Sequence, residues 1–94
     1  MENVKHTPGK WSYTRNPENT RWIIDSEPNR AIATTAGYEP DNEANARLIA
    51  AAPELLAAAT YALEVLAPHK DDDFAWSAMS QIIRALTQAR GEQP

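Results

Sequence analysis

Cysteine is absent from this 94-residue chain. With it go disulfides, thiolate nucleophiles and thiolate-held metals, and the composition fits a reducing compartment. Glycine is scarce, at three residues, so a glycine-rich loop that cradles phosphate is excluded. Histidine occurs only as His6 and His69, in no HExxH or related spacing, and the serines stand outside any GxSxG context. Paired carboxylates occur only in the run Asp71–Asp73, expected in a wet interhelical loop and so poorly suited to acid catalysis. No catalytic residue, metal site or cofactor is therefore expected, and the chain reads as non-enzymatic. Also missing is any apolar run near the roughly 20 residues that a membrane helix needs. The start, Met1-Glu2-Asn3-Val4-Lys5-His6, lacks the apolar stretch of a secretory signal. A soluble, cytoplasmic protein with no membrane partner is the expectation.

A basic excess is lacking too. The net charge is −4. In residues 1–40, Lys5, Lys10, Arg15, Arg21 and Arg30 are balanced by as many acids, and the acidity comes from residues 41–94. Phosphate contacts supply most non-specific nucleic-acid affinity, so that class of partner is not expected. What is there is an ordinary globular mix, with 43% hydrophobic and 23% charged residues. Residues 1–94 are expected to form one domain with one modest core, for which self-association is an obvious supplement.

The first forty residues fall into short β-like runs separated by turns. Trp11-Ser12-Tyr13-Thr14-Arg15, Arg21-Trp22-Ile23-Ile24-Asp25 and Arg30-Ala31-Ile32-Ala33-Thr34-Thr35 are divided by Asn16-Pro17-Glu18-Asn19 and Ser26-Glu27-Pro28-Asn29. Connections this short join antiparallel neighbours, so a three-stranded meander is predicted. At Asp41 the period changes. Leu48, Ile49, Ala52, Leu55, Leu56, Ala59, Leu63 and Leu66 recur at helical spacing, interrupted by Pro53, which predicts a kink or break near Ala52. Asp41 or Asn42 can cap the start of that helix. After Pro68, an Asp among residues 71–73 caps a last helix running to about Arg90, with Gly91 beyond its end. The predicted fold is α+β: a β-rich half over 1–40, then a helical half over 41–94 with a kinked helix and a second, antiparallel helix in a hairpin.

Candidate binding residues lie on both sides of that boundary. Arg21, Arg30 and Trp22, with Tyr38 in the connection, can combine cation and ring to grip a phosphate or stack on a base; the bland alternative is solvating arginines and core aromatics. Asn42 and Asn45 lie one turn apart at a helix start and are followed by Arg47. They offer an anion site, or simply capping, since Asp41 and Glu43 would repel an anion. On the last helix Ala75, Met79, Ile82, Leu86 and Ala89 form a seam, widened by Trp76 and Ile83. A stripe that wide predicts a homo-oligomer through Trp76, Met79, Ile83 and Leu86.

Two segments carry a family resemblance. His6-Thr7-Pro8-Gly9-Lys10-Trp11 resembles the HTPGPW opening of small proteins common in tailed phages and prophages, with Lys10 in place of the second proline. Glu43-Ala44-Asn45-Ala46-Arg47-Leu48-Ile49-Ala50-Ala51-Ala52-Pro53-Glu54-Leu55-Leu56 resembles their NARLIAAAPELL signature. The resemblance implies a phage accessory protein in the host cytoplasm. A sheet followed by two helices is also the arrangement of the Thoeris anti-defence sponges, a likeness of architecture alone. It implies counter-defence by sequestering a nucleotide-derived immune signal, with a cyclic nucleotide or ADP-ribose-type molecule as ligand. The alternative from a different class is a protein–protein inhibitor or adaptor, anti-CRISPR-like in manner, whose partner is a host defence protein.

Overall fold

A computed structural model describes residues 6–18, 21–27, 30–36 and 41–91. The fold is α+β: strands β1 (Trp11–Arg15), β2 (Trp22–Ser26) and β3 (Arg30–Thr35) precede helices α1 (Asp41–Ala50), α2 (Ala52–Leu66) and α3 (Asp73–Ala89). A single 3-10 turn, Ala67–His69, links α2 to α3. The chain forms two compact units, Met1–Pro53 and Glu54–Pro94. The division therefore falls after Pro53 rather than at the change of period before Asp41, because α1 packs with the strands.

In the first unit the strands form an antiparallel meander in the order β1-β2-β3. Tyr13 lies opposite Ile24, Arg15 opposite Trp22, and Trp22 opposite Thr35. Side chains alternate across a strand, so Trp11, Tyr13, Trp22, Ile24 and Ser26 share one face. Ile24, Ser26 and Thr35 on the sheet are buried, and so are Asn42 and Ala46, one turn apart on α1. α1 lies against all three strands. Ile24 of the sheet and Ala46 of α1 are both 0% exposed and mark the centre of this unit.

The opening motif has a structural task. The Trp11 indole Nε1–H donates to the Thr7 carbonyl at 3.0 Å, and the His6 ring meets the Trp11 ring edge-on. The Glu27 amide donates to the Lys10 carbonyl at 3.2 Å. Gly9 has φ +95°, and a Cβ there would stand 3.1 Å from the Glu27 carbonyl oxygen. Backbone in this region is open to glycine and strained for other residues. Gly9→Ala is therefore expected to cost about 1–2 kcal/mol. Urea unfolding would register it as a lower midpoint at unchanged slope; an unshifted midpoint would count against the constraint.

Along the helices the expected punctuation is present. α1 ends at Ala50, and the Ala51 amide is shared between the Arg47 and Leu48 carbonyls at 3.1 and 3.2 Å. Pro53 is the second residue of α2, where its missing N–H leaves no helical bond unmade. Asp72 caps α3, accepting from the Phe74 and Ala75 amides at 2.8 and 3.1 Å. Gly91, at φ +71°, closes it with an N–H to the Gln88 carbonyl. The Arg90 guanidinium donates to Thr60 Oγ1 at 3.5 Å, tying the end of α3 to the middle of α2 in an antiparallel hairpin. Met79 and Leu86 of α3 are buried, and no residue of α2 is. No single helix among the described residues is long and apolar enough to cross a membrane.

Candidate functional site

Strand register brings an aromatic pair and an arginine together on the α1 side of the first unit. The Tyr13 and Trp22 rings lie 5.6 Å apart with their planes tilted by 52°. The pairing follows from the register: Trp22 is two residues from Ile24, the direct partner of Tyr13, a diagonal within reach of two large rings. Arg47 reaches this pair from α1. Hydrogen bonding to Tyr13 is the largest cause of a guanidinium pKa raised above its ordinary value, followed by the Tyr13 charge interaction and then Glu43. Arg47 also pairs with Glu43 one turn earlier on α1, at 3.4 Å. Solvent screens this exposed i,i+4 pair, so it adds little to stability. A guanidinium carries five N–H donors, so these contacts leave donors for a ligand.

Asn42 meets the sheet at Thr35. The Thr35 hydroxyl donates to the Asn42 carbonyl at 3.5 Å, and Thr35 is the cross-strand partner of Trp22. Asn42 is only 3% exposed, and among the described residues its Oδ1 has no hydrogen-bond partner. Burying an unpaired acceptor costs about 1–3 kcal/mol, so this position is held by packing rather than by polar satisfaction.

The structure brings together two of the sequence candidates and separates the others. Trp22 and Arg47 both lie beside Tyr13, Asn42 is buried on α1, and Arg21 is exposed just before β2. Arg30 is opposite Ser26 at the other end of the sheet from Trp22, about 13 Å along the strands. Asn45 is exposed whereas Asn42 is buried, so the two asparagines do not present one anion site. Both Asp41 and Asn42 lie inside α1, beyond the capping position in which either was expected. Tyr38 lies outside the described residues. Of the expected interface residues, Trp76 and Ile83 are exposed at 54% and 43%, while Met79 and Leu86 are interior. Tyr13 was not singled out from the sequence. Period-2 alternation marks it as sharing a face with Trp11, but its partnership with Trp22 needs the register. Among the described residues no group of His, Asp or Glu is arranged to hold a metal ion.

A helix-covered three-stranded sheet with an aromatic–arginine cluster, joined to a helical hairpin, defines a small α+β protein class. Residues 1–93 match the family model described as Salmonella phage P22 protein Y8K6, and the chain belongs to that family of small phage proteins. No curated protein and no solved structure matches it. The likeness to the Thoeris sponges thus has no structural match behind it.

Proposed function

We propose that this phage protein is a non-catalytic accessory factor that binds a nucleotide-derived anion in the host cytoplasm and so sequesters an immune signal without turning it over. The observation that carries the reading is the Arg47 guanidinium set beside the Tyr13–Trp22 ring pair. A guanidinium fork matches phosphate oxygens, and a partly open indole or phenol ring takes the face of a base. Glu43, 3.4 Å from the same guanidinium, leaves part of the fork open to an anion. Calorimetry against cyclic dinucleotides, cyclic trinucleotides and cyclic ADP-ribose isomers tests it. Saturable heat is expected with at least one of them, and Arg47→Ala should weaken that binding about 10- to 100-fold. No heat with any of these ligands sinks the proposal.

A second reading, an inhibitor or adaptor acting on a host defence protein, draws support from the start of α3. Phe74 and Trp76 are 87% and 54% exposed beside the Asp71–Asp73 run, an acidic and aromatic surface suited to a basic protein partner. Pull-down from host lysate with wild type and a Phe74→Ala/Trp76→Ala variant separates the two readings. A stoichiometric partner lost in the variant supports the adaptor.

A further inference from the structure

α2 carries two apolar seams, and only one of them is occupied. Leu56, Ala59, Leu63 and Leu66 follow one another at a 3-4-3 spacing, and all four are half-buried. Leu55, Ala58, Ala62 and Val65 repeat the same 3-4-3 spacing one residue earlier, and this second seam is largely in water: Leu55 is 53% exposed, Val65 49%, and Tyr61 beside them 67%. The fifteen residues of α2 include just two charges, Glu54 and Glu64. A helix this apolar with nothing fully buried is short of a neighbour, since helices apolar on more than one side are found inside bundles. The 3-4-3 spacing further specifies that neighbour. It is the seam of a coiled coil, whose natural complement is a second helix with the same repeat.

We infer that the Leu55–Ala58–Ala62–Val65 seam is the contact with a second copy of this chain, α2 against α2 across a two-fold axis, so that two hairpins make a four-helix bundle. The seam is self-complementary, as a closed two-fold contact requires. Ala58 and Ala62 in its middle let the two backbones approach closely, while Leu55 and Val65 fill the ends. Size agrees with a reversible dimer. Leu55, Tyr61 and Val65 leave on the order of 300 Å² of side chain in water per copy, on a scale of about 150–250 Å² for a whole aromatic side chain. Two copies with the alanines and rim bury about 1,000 Å², the lower bound of a specific interface and below that of a permanent one. Charge argues against a lipid surface as occupant. Lys70, Arg84 and Arg90 are outnumbered in residues 54–91 by Glu54, Glu64, Asp71, Asp72 and Asp73, whereas helices that lie on anionic membranes carry a basic polar face. The inference does not depend on the ligand reading above.

Light scattering on the full chain across the micromolar range tests it. The expected mass rises with concentration from 10.4 kDa toward twice that value. Ala58→Glu and Val65→Glu place like charges across the axis at little cost in helix propensity, so the mass should fall to one chain while the circular dichroism is retained. Ala57→Glu, outside both seams, should leave the dimer intact. Wild type with the mass of one chain throughout the range overturns the inference. Co-sedimentation with phosphatidylglycerol vesicles, lost in Val65→Glu, would then assign the seam to lipid, and its absence would assign it to a cover from the same chain. A dimer that survives both glutamates also overturns it, because the contact then lies elsewhere. If either glutamate variant loses its helical signal, the cysteine-free background supplies a second measurement. A chain with the single substitution Ala62→Cys should form an intermolecular crosslink with a short bis-maleimide well above that of Gln81→Cys, and equal yields overturn the inference.

Discussion

Ile24→Ala is expected to lower the unfolding free energy of the Met1–Pro53 unit by about 2–5 kcal/mol. Ile24 sits on the central strand, is 0% exposed, and is the largest fully buried side chain among the described residues. Its replacement removes buried methyl groups and leaves a cavity that a sheet hydrogen-bonded on both sides of β2 cannot easily close. A domain this small has about 5–15 kcal/mol in hand at most, so the loss is a large fraction of the whole. Chemical denaturation followed by tryptophan fluorescence would read it, since Trp22 is two residues away on the same face. A loss under about 1 kcal/mol would mean that the centre of the unit lies elsewhere.

Ala46→Leu is the complementary test, made from the helix side. Ala46 is also 0% exposed, and alanine and leucine have nearly equal helix propensity, so any loss comes from the contact between α1 and the sheet. Overpacking of about 1–3 kcal/mol is expected as α1 is pushed away from β2. The double variant Ile24→Ala/Ala46→Leu should lose less than the two single losses together, by about 0.5–3 kcal/mol, because the added side chain enters the space vacated by the isoleucine. Strict additivity in denaturant unfolding would show that the two positions share no contact. Displacement of α1 also moves Arg47 away from Tyr13, so Ala46→Leu should weaken any nucleotide binding even in protein that remains folded.

Much of the local structure is legible residue by residue. β1 ends where Asn16-Pro17 turns the chain and β2 ends just before Glu27, at the turn-rich stretch expected from the sequence. The break between α1 and α2 follows from Pro53, and the start and end of α3 follow from Asp72 and Gly91, each through a backbone hydrogen bond that the residue type either supplies or forbids. The site was legible only in part. Trp22 and Arg47 could be nominated from residue type, but Tyr13 could not, since its contact with Trp22 depends on which residue of β2 lies opposite Tyr13. Arg30 illustrates the reverse case. It resembles Arg21 in sequence context, a cation at the head of a strand, yet the antiparallel turn of the meander carries it to the far end of the sheet.

By itself, then, the sequence determined the elements, their order and their ends, because turns, caps and periodic apolar positions act over a few neighbouring residues. Tertiary structure alone decided the partition of the helices. A helical wheel places Asn42, Ala46 and Ile49 on one side of α1 and Leu56, Ala59, Leu63 and Leu66 on one side of α2, but it carries no information on which side meets a sheet and which meets a helix. α1 packs on the sheet with the small Ala46 fully buried, which takes α1 into the strand unit and buries Asn42 there. α2 is left with α3 as its one neighbour in the Glu54–Pro94 unit, and its second seam is in water. Burial depends on contacts between residues far apart in the chain, and such contacts exist only once the fold has formed.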